Sequence, residues 1–552
     1  MNENVSKIAT ATIVIVLSYL FMWFFFRPSL NMRATETWIT FLICIVIGIV
    51  FSSVADIFLN DEIGIISIIL IWLCIFLLVT FGILRFAGSS VFQAKNLQKR
   101  LQVTEESGFE ETVEEFNIDS VPRIDASVAI NLANRKLGEL EDVISQFEAD
   151  SEHSTLINYN GRPYRVIPLK YGGFFKYMSN KENGIPGYIK VDLITQKAEH
   201  VKLETGIKYS PSAYFSCDLN KYIKSKYPTC VTGEYNFEID DDGTPFWVVS
   251  EITINSFING VKTIKNIIVL NAVTGEIKKY PVSEVPSWID RAFDTDLVLS
   301  QINSWGMFKN GFINSLGISS QKGVKQSTSL YNFIIQDDDV YLYTGITSAN
   351  SSDHSNIGFF LVNMRTGEAK YTPCPSSVDE SSAQSSAETI YQEKKYEATD
   401  PLLVNVNVDG KAMPTYCTSL KDKAGLVKVY AFVCATDYKI VGYASEQEGM
   451  EKALENYKKA LNGESFTTYD NDEHTEKTEE VKLETINFTV DSIKEFTING
   501  TTSYYVLSDN DVVVVPITAN MLIVPNMKVD DKYTAEVEKQ NNYYLVHTIE
   551  KE

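Results

Sequence analysis

Histidine is rare, cysteine is scattered and positive charge is outnumbered in this sequence, and each shortage removes a class of function. The 552 residues include five histidines, at positions 153, 200, 354, 474 and 547, none at the spacing that a zincin or another histidine-ligated metal site needs. Seven cysteines stand at 44, 74, 217, 230, 374, 417 and 434. Cys217 and Cys230 are too far apart for a C-x2-C pair and have no flanking histidine, so neither a zinc site nor a disulfide framework is indicated. Lys and Arg number 49 against 71 Asp and Glu, and the formal charge of -22 opposes binding to a phosphate backbone. A P-loop ending is missing from "GISSQKGVK" (Gly317 to Lys325), and no G-x-S-x-G nucleophile elbow occurs. No catalytic residue, cofactor-binding residue or metal ligand is nominated on these grounds, and the chain is expected to be non-enzymatic, without cofactor and without nucleic-acid partner.

Long apolar runs, by contrast, are present. Ile8 to Phe26, Trp38 to Leu59 and a third run over about 63–86 each approach the roughly 20 residues that span a bilayer as a helix. They predict a multi-pass anchor in the cell membrane over residues 1–90. Arg27, Arg33, Arg85, Lys95, Lys99 and Arg100 collect on one side of three such spans, and Lys7, Asp61 and Glu62 on the other. The positive-inside rule then puts everything from residue 90 onward in the cytoplasm. Asp56, near the end of the second span, is either an intramembrane functional carboxylate or, more economically, a group reaching the interface. Residues 91–118 read as a basic juxtamembrane helix, "FQAKNLQKRLQ", and then an acidic spacer.

The soluble part repeats two landmarks in the same order. The first is a polar turn leading into an apolar strand: "NYNGRPYRVI" at Asn158, "EIDDDGTPFWVV" at Glu238, "IIQDDDVYLYTG" at Ile334 and "NVDGKAMPTYCTS" at Asn407. Asn-Gly and Asp-Gly between β-rich flanks signal hairpins, because the turn needs positive φ. The second is "LNAVTGEIKKY" (Leu270 to Tyr280), which returns as "VNMRTGEAKY" from Val362, as "VDLITQKAEH" from Val191 and, degenerately, as "FVCATDYKIVGY" from Phe432. A helical stretch precedes each pair of landmarks: Ile124 to Phe147 with Asp125 as N-cap, a segment with Ser210 at N-cap and Pro211 at the first position, Asp294 to Phe308, and Ser381 to Tyr396. Four αβ repeats with antiparallel sheets are predicted, at 119–206, 207–284, 285–376 and 377–463, the last closed by an amphipathic helix from Ser445 to Gly463. The triple aspartates Asp240 to Asp242 and Asp337 to Asp339 could bind calcium, but they lack the alternate spacing and distal Glu of a calcium loop and coincide with the hairpin landmark. Asp192, Asn271 and Asn363 are read likewise as turn caps in preference to ligands.

A helix and then strands ending in W-x-V and V-x-(D/N)-x-x-T-G-(E/K) is an order similar to the PepSY-type module of bacterial cell-envelope proteins and protease propeptides; Trp247 to Val249 and Val269 to Glu276 carry the likeness. The chain as a whole, with "GIPGYIKVD", "KYSPSAYF", "DDDVYLYTGITS" and "TSLKDKAGLVKVYA", also resembles a family of large membrane-anchored proteins of low-GC Gram-positive bacteria, which brings no reaction with it. The PepSY likeness implies a regulator or inhibitor of a cell-envelope peptidase. Gln196 and Tyr438 depart from it, standing where the motif has Gly, and no peptidase domain is attached.

An acidic linker over 464–480 leads to a terminal region, 481–552, whose short alternating strands suggest a small closed β-barrel of OB-like or SH3-like type. Tyr504, Tyr505, Tyr543 and Tyr544 could stack bases there, but acidic residues outnumber basic ones. The whole is thus read as an α+β membrane protein whose function is to present its repeats to a protein partner. The alternatives are the peptidase regulator and an enzyme with a dispersed active site.

Overall fold

The computed structural model describes all residues except 1–2, 61–63, 107, 119–120, 349–354, 469–482, 499–500, 509–510, 517–518, 521–522, 540–542 and 552. Three apolar helices lead the chain, α1 (Glu3–Phe26), α2 (Thr35–Asn60) and α3 (Ile65–Ala87), each long and apolar enough to cross a membrane. Their large side chains point outward, as lipid-facing surfaces do. The connection between α1 and α2 docks on the soluble body: Leu30 N–H donates to Pro228 O (2.8 Å), Asn259 N–H to Arg33 O (2.9 Å), and Lys224 pairs with Glu36 at 3.2 Å. Gly88, just past α3, lies so close to the Ile258 carbonyl that a Cβ there would come within 2.5 Å of it. Arg27, Arg33 and Arg85 therefore share the body's end of the helices. Asp56 does not reach out to water, as the more economical expectation has it. It is buried, accepting from Ser67 Oγ (3.0 Å) and Gly64 N–H (3.1 Å) and pairing with Lys7 at 3.3 Å.

The juxtamembrane helix is present as α4 (Ser90–Lys99), but the acidic segment after it is no spacer. Val103–Glu105 adds a parallel strand beside Ala369–Val378, and Val113, Phe109 and Phe116 join the core, so the glutamates around them form only the solvent face.

Four times along the chain a helix leads into an antiparallel meander. The first sheet contains Thr155–Tyr159, Arg162–Tyr171, Ile185–Asp192 and Lys197–Ile207, with Phe147–Ala149 also paired to its second strand. The second is Thr232–Ile239, Pro245–Asn255, Val261–Asn271 and Ile277–Pro281. Asn332–Gln336, Asp339–Ser348, Ser355–Asn363 and Ala369–Val378 form the third, and Leu402–Val408, Lys411–Lys421, Val427–Cys434 and Val441–Ser445 the fourth. Both sequence landmarks fall at one end of each sheet. The first turn carries left-handed residues, Asn160 and Gly161, Gly243, Asp337 and Asp338, Asp409 and Gly410. The second is tied to it by a hydrogen bond that recurs in all four: Leu193 N–H to Pro163 O, Ala272 to Pro245, Met364 to Val340 and Ala435 to Pro414, at 2.9 to 3.1 Å.

These sheets do not stand apart as beads. Residues of all four, among them Ile157, Phe237, Tyr343 and Phe432, belong to one continuous core. First strands lie innermost: Phe237 N–H donates to Thr155 Oγ1 (3.1 Å), and the Asn158 amide bonds Asp338 at the end of the third sheet's first hairpin. The first strands of the first and second sheets, and of the third and fourth, thus lie against each other. A second layer covers outward faces, Leu101, Val298, Ile302 and Trp305 on the third sheet and Ile289 and Ala292 on the second.

Several helices begin or end elsewhere than periodicity predicts. Asp125 caps as expected, but its helix is Ala126–Gly138, and Phe147 already starts a strand. Ser210 caps nothing: its hydroxyl bonds Ser212, and the second helix is Leu219–Lys226, capped by Asp218. The third runs Thr295–Met307 behind Asp294, and the fourth Glu380–Glu388 behind Asp379, continuing as a 3-10 turn. Ser445 and Glu448 do bond each other, yet they close a turn, and the amphipathic helix starts at Met450 after the left-handed Gly449. The acidic linker lies mostly outside the described residues. Beyond it a six-stranded sheet runs Leu483–Thr489, Lys532–Lys539, Tyr544–Lys551, Asp511–Pro516, Thr501–Ser508 and Ser492–Ile498 in spatial order. The path ends on Leu483–Thr489 and Ser492–Ile498, which follow each other in the chain across Val490 and Asp491, whose N–H groups bond Asp531 O (3.0 Å) and Leu507 O (2.9 Å), and residues along the sheet share one core.

Candidate functional site

The turn residues weighed as ligands are occupied. Asp192 Oδ1 accepts from the N–H groups of Ile194 and Thr195, Asn271 Oδ1 from Val273 and Thr274, and Asn363 Oδ1 from Arg365 and Thr366, all at 2.8 to 3.0 Å. In the fourth sheet the corresponding residue is Cys434, whose N–H bonds Ile440 O one residue further on than the Asn271–Glu276 and Asn363–Glu368 pairs. That longer turn needs no left-handed residue, so Tyr438 is not a strained substitute for glycine as the motif alignment implies. One aspartate of each triple is likewise engaged: Asp240 Oδ1 accepts from Thr244 N–H (2.8 Å), and Asp339 takes the Arg365 fork at 2.6 Å.

At the opposite end of the sheets the first strands are interrupted. In the first, third and fourth sheets a short strand and the main one are separated by residues 150–154, 328–331 and 399–401; in the second, the register shifts between Thr232 and Tyr235. All four interruptions line one cavity of about 660 Å³, inside the usual range for ligand sites. His153 and Glu152, Glu234 and Tyr235, Tyr331 and Phe333, and Asp400 reach it from the successive sheets, and the segment 122–126 forms part of its rim.

Three arginines line this cavity, and each leaves its Nε–H buried without a hydrogen-bond partner: Arg123, Arg165 and Arg291. Arg123 pairs with Glu451 at 3.6 Å. Arg165 donates from Nη1 to Ser154 Oγ (3.2 Å) and O (3.3 Å), and Arg291 from Nη2 to Thr295 Oγ1 (2.8 Å) while lying 3.8 Å over the Phe333 ring. Among the described residues neither Arg165 nor Arg291 has a carboxylate oxygen within salt-bridge distance. Burial, and then the repulsion of Arg291, holds the Arg165 guanidinium down to about 10.

The acids nearby are engaged or pushed toward neutrality. Glu234 accepts from Thr295 N–H (3.2 Å) and Oγ1 (3.1 Å), and burial, then the Asp294 charge, raises its pKa. Asp125 caps its helix and pairs with Lys421 at 2.8 Å. Burial raises Asp400. Deeper along the second sheet, Glu238 is wholly buried, accepting from the N–H groups of Asp290 (2.8 Å) and Arg291 (3.0 Å), and desolvation lifts it to about 7. Asp290, beside it, is raised well above the usual carboxylate range by burial and by the Glu238 charge.

Asp150, Glu152 and His153 come close enough to share a metal ion, but Asp150 Oδ2 already bonds His153 Nδ1 at 2.8 Å, and His153 packs edge-on against Trp247. Sequence reasoning misses the arginines altogether. One signal is available: Arg291 is the only arginine between positions 166 and 364.

No protein-family model matches the chain, and no curated protein matches it. Among solved structures it aligns weakly with the carotenoid oxygenase ACO of Synechocystis, as a point mutant and in cobalt-substituted form, and with an ACO/RPE65 chimera. The ACO alignments have 13% identity and a TM-score of 0.17, covering 53% of this chain and 60% of the oxygenase. At that score the likeness carries no argument about fold or chemistry.

Proposed function

We propose that this is a membrane-anchored, non-catalytic binding protein whose four PepSY-like units act as one rigid receptor for a protein partner on the cytoplasmic side. The observation that carries the reading is the axial cavity, to which every unit contributes the break in its first strand. A recurrent break that converges on one hollow is what a binding body needs, whereas units serving separately would each keep an intact inner strand. Basic residues at the body's end of the helices support the cytoplasmic placement. In the cavity His153 is bonded to Asp150, and its ring packs against Trp247 and Tyr235.

Capture from solubilised membranes with the full chain tests the reading. Recovery of a protein whose retention is lost when the cavity rim is altered, as in Tyr331→Ala, is the expected result. Recovery of a peptidase with lowered activity would favour the regulator instead. If nothing is retained above a control membrane protein, the receptor reading fails. Labelling of Cys217 from the outside of intact cells would overturn the cytoplasmic placement.

A further inference from the structure

We propose that the end of the soluble body around the exit of α3 is a lipid-docking collar, which seats in the headgroup layer of a bilayer carrying anionic lipid. The inference rests on the membrane anchor and not on the receptor cavity. Three stretches far apart in sequence bring large apolar side chains to this exit. Phe92, in the first turn of α4, packs edge-on against Phe86, an outward-facing ring in the last turn of α3, with 5.2 Å between ring centres. Ile258 O meets Gly88 at the same level, and the neighbouring Phe257, held at a left-handed φ of +56°, is exposed. The third stretch follows the helix Thr295–Met307. Arg100, just past α4, bonds Ser300 Oγ (2.8 Å) and Ser304 Oγ (3.3 Å) of that helix, and the short helix Phe312–Ser315, further along the chain, packs on α4 itself. The chain thus runs back along α4 toward the membrane end, with Ile313 77% and Ile318 95% exposed.

Those isoleucines are presented by an ordered loop. Asn310 Nδ2 and Asn314 Nδ2 both donate to Lys322 O (2.7 and 3.1 Å), and Ser319 Oγ donates to Asn314 O (2.7 Å), so polar bonds close the loop while Ile313 and Ile318 stay outside it. A single exposed apolar residue is ordinary on a water-facing surface. Phe92, Phe257, Ile313 and Ile318, gathered from separate segments at the mouth of a membrane helix, instead extend its lipid-facing surface. Charge favours the same occupant. None of the 71 Asp and Glu falls within 64–104 or 297–336, the two stretches that build most of the collar, and Lys95, Lys99, Lys309 and Lys322 are exposed there. A second copy docked collar to collar would set these lysines against each other, whereas headgroup phosphates neutralise them.

The experiment reconstitutes the full chain in nanodiscs of phosphatidylcholine, with or without phosphatidylglycerol, and quenches tryptophan emission with lipid brominated near the headgroup. Ile318→Trp is expected to add emission of which about half is quenched in the anionic discs, as for a side chain about 5–10 Å into the headgroup boundary. Lys411→Trp, on the first hairpin of the fourth sheet, should add emission that is not quenched. Neutral discs, or Lys309→Gln combined with Lys322→Gln, should cut the quenching at position 318 about twofold. Ile313→Trp serves as a second variant if Ile318→Trp does not fold. An added signal as insensitive as that at position 411 overturns the proposal. So does one shifted to the blue yet unquenched by brominated lipid, which assigns the patch to a protein partner or a second copy. Equal quenching in neutral and anionic discs overturns the choice of anionic lipid. The wild-type chain carries the exposed Trp72 within α3, and lipid brominated along its acyl chain reports the anchor through it. Absence of that quenching removes anchor and collar together; its presence without quenching at position 318 removes the collar alone and leaves the receptor reading to its own capture experiment.

Discussion

The two ends of the four sheets are built on different principles. At one end lie eight turns, most with geometry written in adjacent residues: left-handed Asn160–Gly161 or Asp409–Gly410 in the first turn and, in the first three sheets, an Asn or Asp side chain capping the amides two and three residues on in the second. At the other end the strands break, and arginines from the rim, the first sheet and the connection before the third helix meet in a hollow. Local chemistry dictates the first end. Only packing among residues far apart in sequence produces the second, which is why the first end is legible in the sequence and the second is not.

Gly367 offers the largest expected effect and tests the local end. Its φ is +76°, and a Cβ would lie 2.3 Å from the Phe293 ring, so Gly367→Val meets both a left-handed penalty and a steric clash. A loss of about 3 kcal/mol is expected in denaturant unfolding of the full chain. A loss under about 1 kcal/mol would mean that the turn end tolerates change as loops do, and the contrast between the ends would collapse.

The buried acids between the two ends give the next effect, through pH. Glu238 titrates near 7 when folded, well above its unfolded value, so the folded chain holds a proton that the unfolded chain has released. Stability from this group is therefore full below about 4.5 and lost as pH rises to about 7, by on the order of 3 kcal/mol. Asp290 is displaced in the same direction and adds to the slope. The melting temperature should fall from pH 5 to pH 8, and Glu238→Gln should flatten that fall by removing both the charge and its effect on Asp290. A wild-type chain whose stability rises over the same range would show that these carboxyls do not carry their burial as unpaired charge.

Particular residues show how far the sequence is legible. The hairpins at Gly161, Gly243, Asp338 and Gly410 are where Asn-Gly, Asp-Gly and Asp-Asp signals put them, because positive φ is a property of the residue itself. Asp294 caps the third helix for the same local reason. Ser210 does not cap the second, since Asp218 competes for the role eight residues on and Ser210 bonds Ser212. The charges of the glutamate-rich segment after α4 suggest a spacer, whereas its pairing with Ala369–Val378 depends on a surface more than 260 residues away. The cavity arginines carry no local pattern at all. Their meeting depends on Thr155, Thr232, Asn332 and Leu402 starting neighbouring inner strands, an arrangement with no signature in any one stretch of chain.

The smallest effect sharpens the comparison most. Gln196 occupies the position of Gly275 and Gly367 and holds φ of +59°, so the first sheet makes its second turn with a residue strained by a left-handed backbone. Its amide also donates to Tyr430 Oη at 3.1 Å, joining the first sheet to the fourth. Gln196→Gly removes the strain but also the bond and adds unfolded-state freedom. If turn chemistry rules this end, relief outweighs loss and the chain gains about 0.5 kcal/mol, whereas Gln196→Ala, which keeps the strain and loses the bond, costs about 1 kcal/mol. Equal destabilisation by both substitutions would instead assign the Gln196–Tyr430 contact the controlling part. The first and fourth sheets would then be held by long-range contacts at their turn end as well, and the division between a locally dictated end and a packed end would apply to the second and third sheets only.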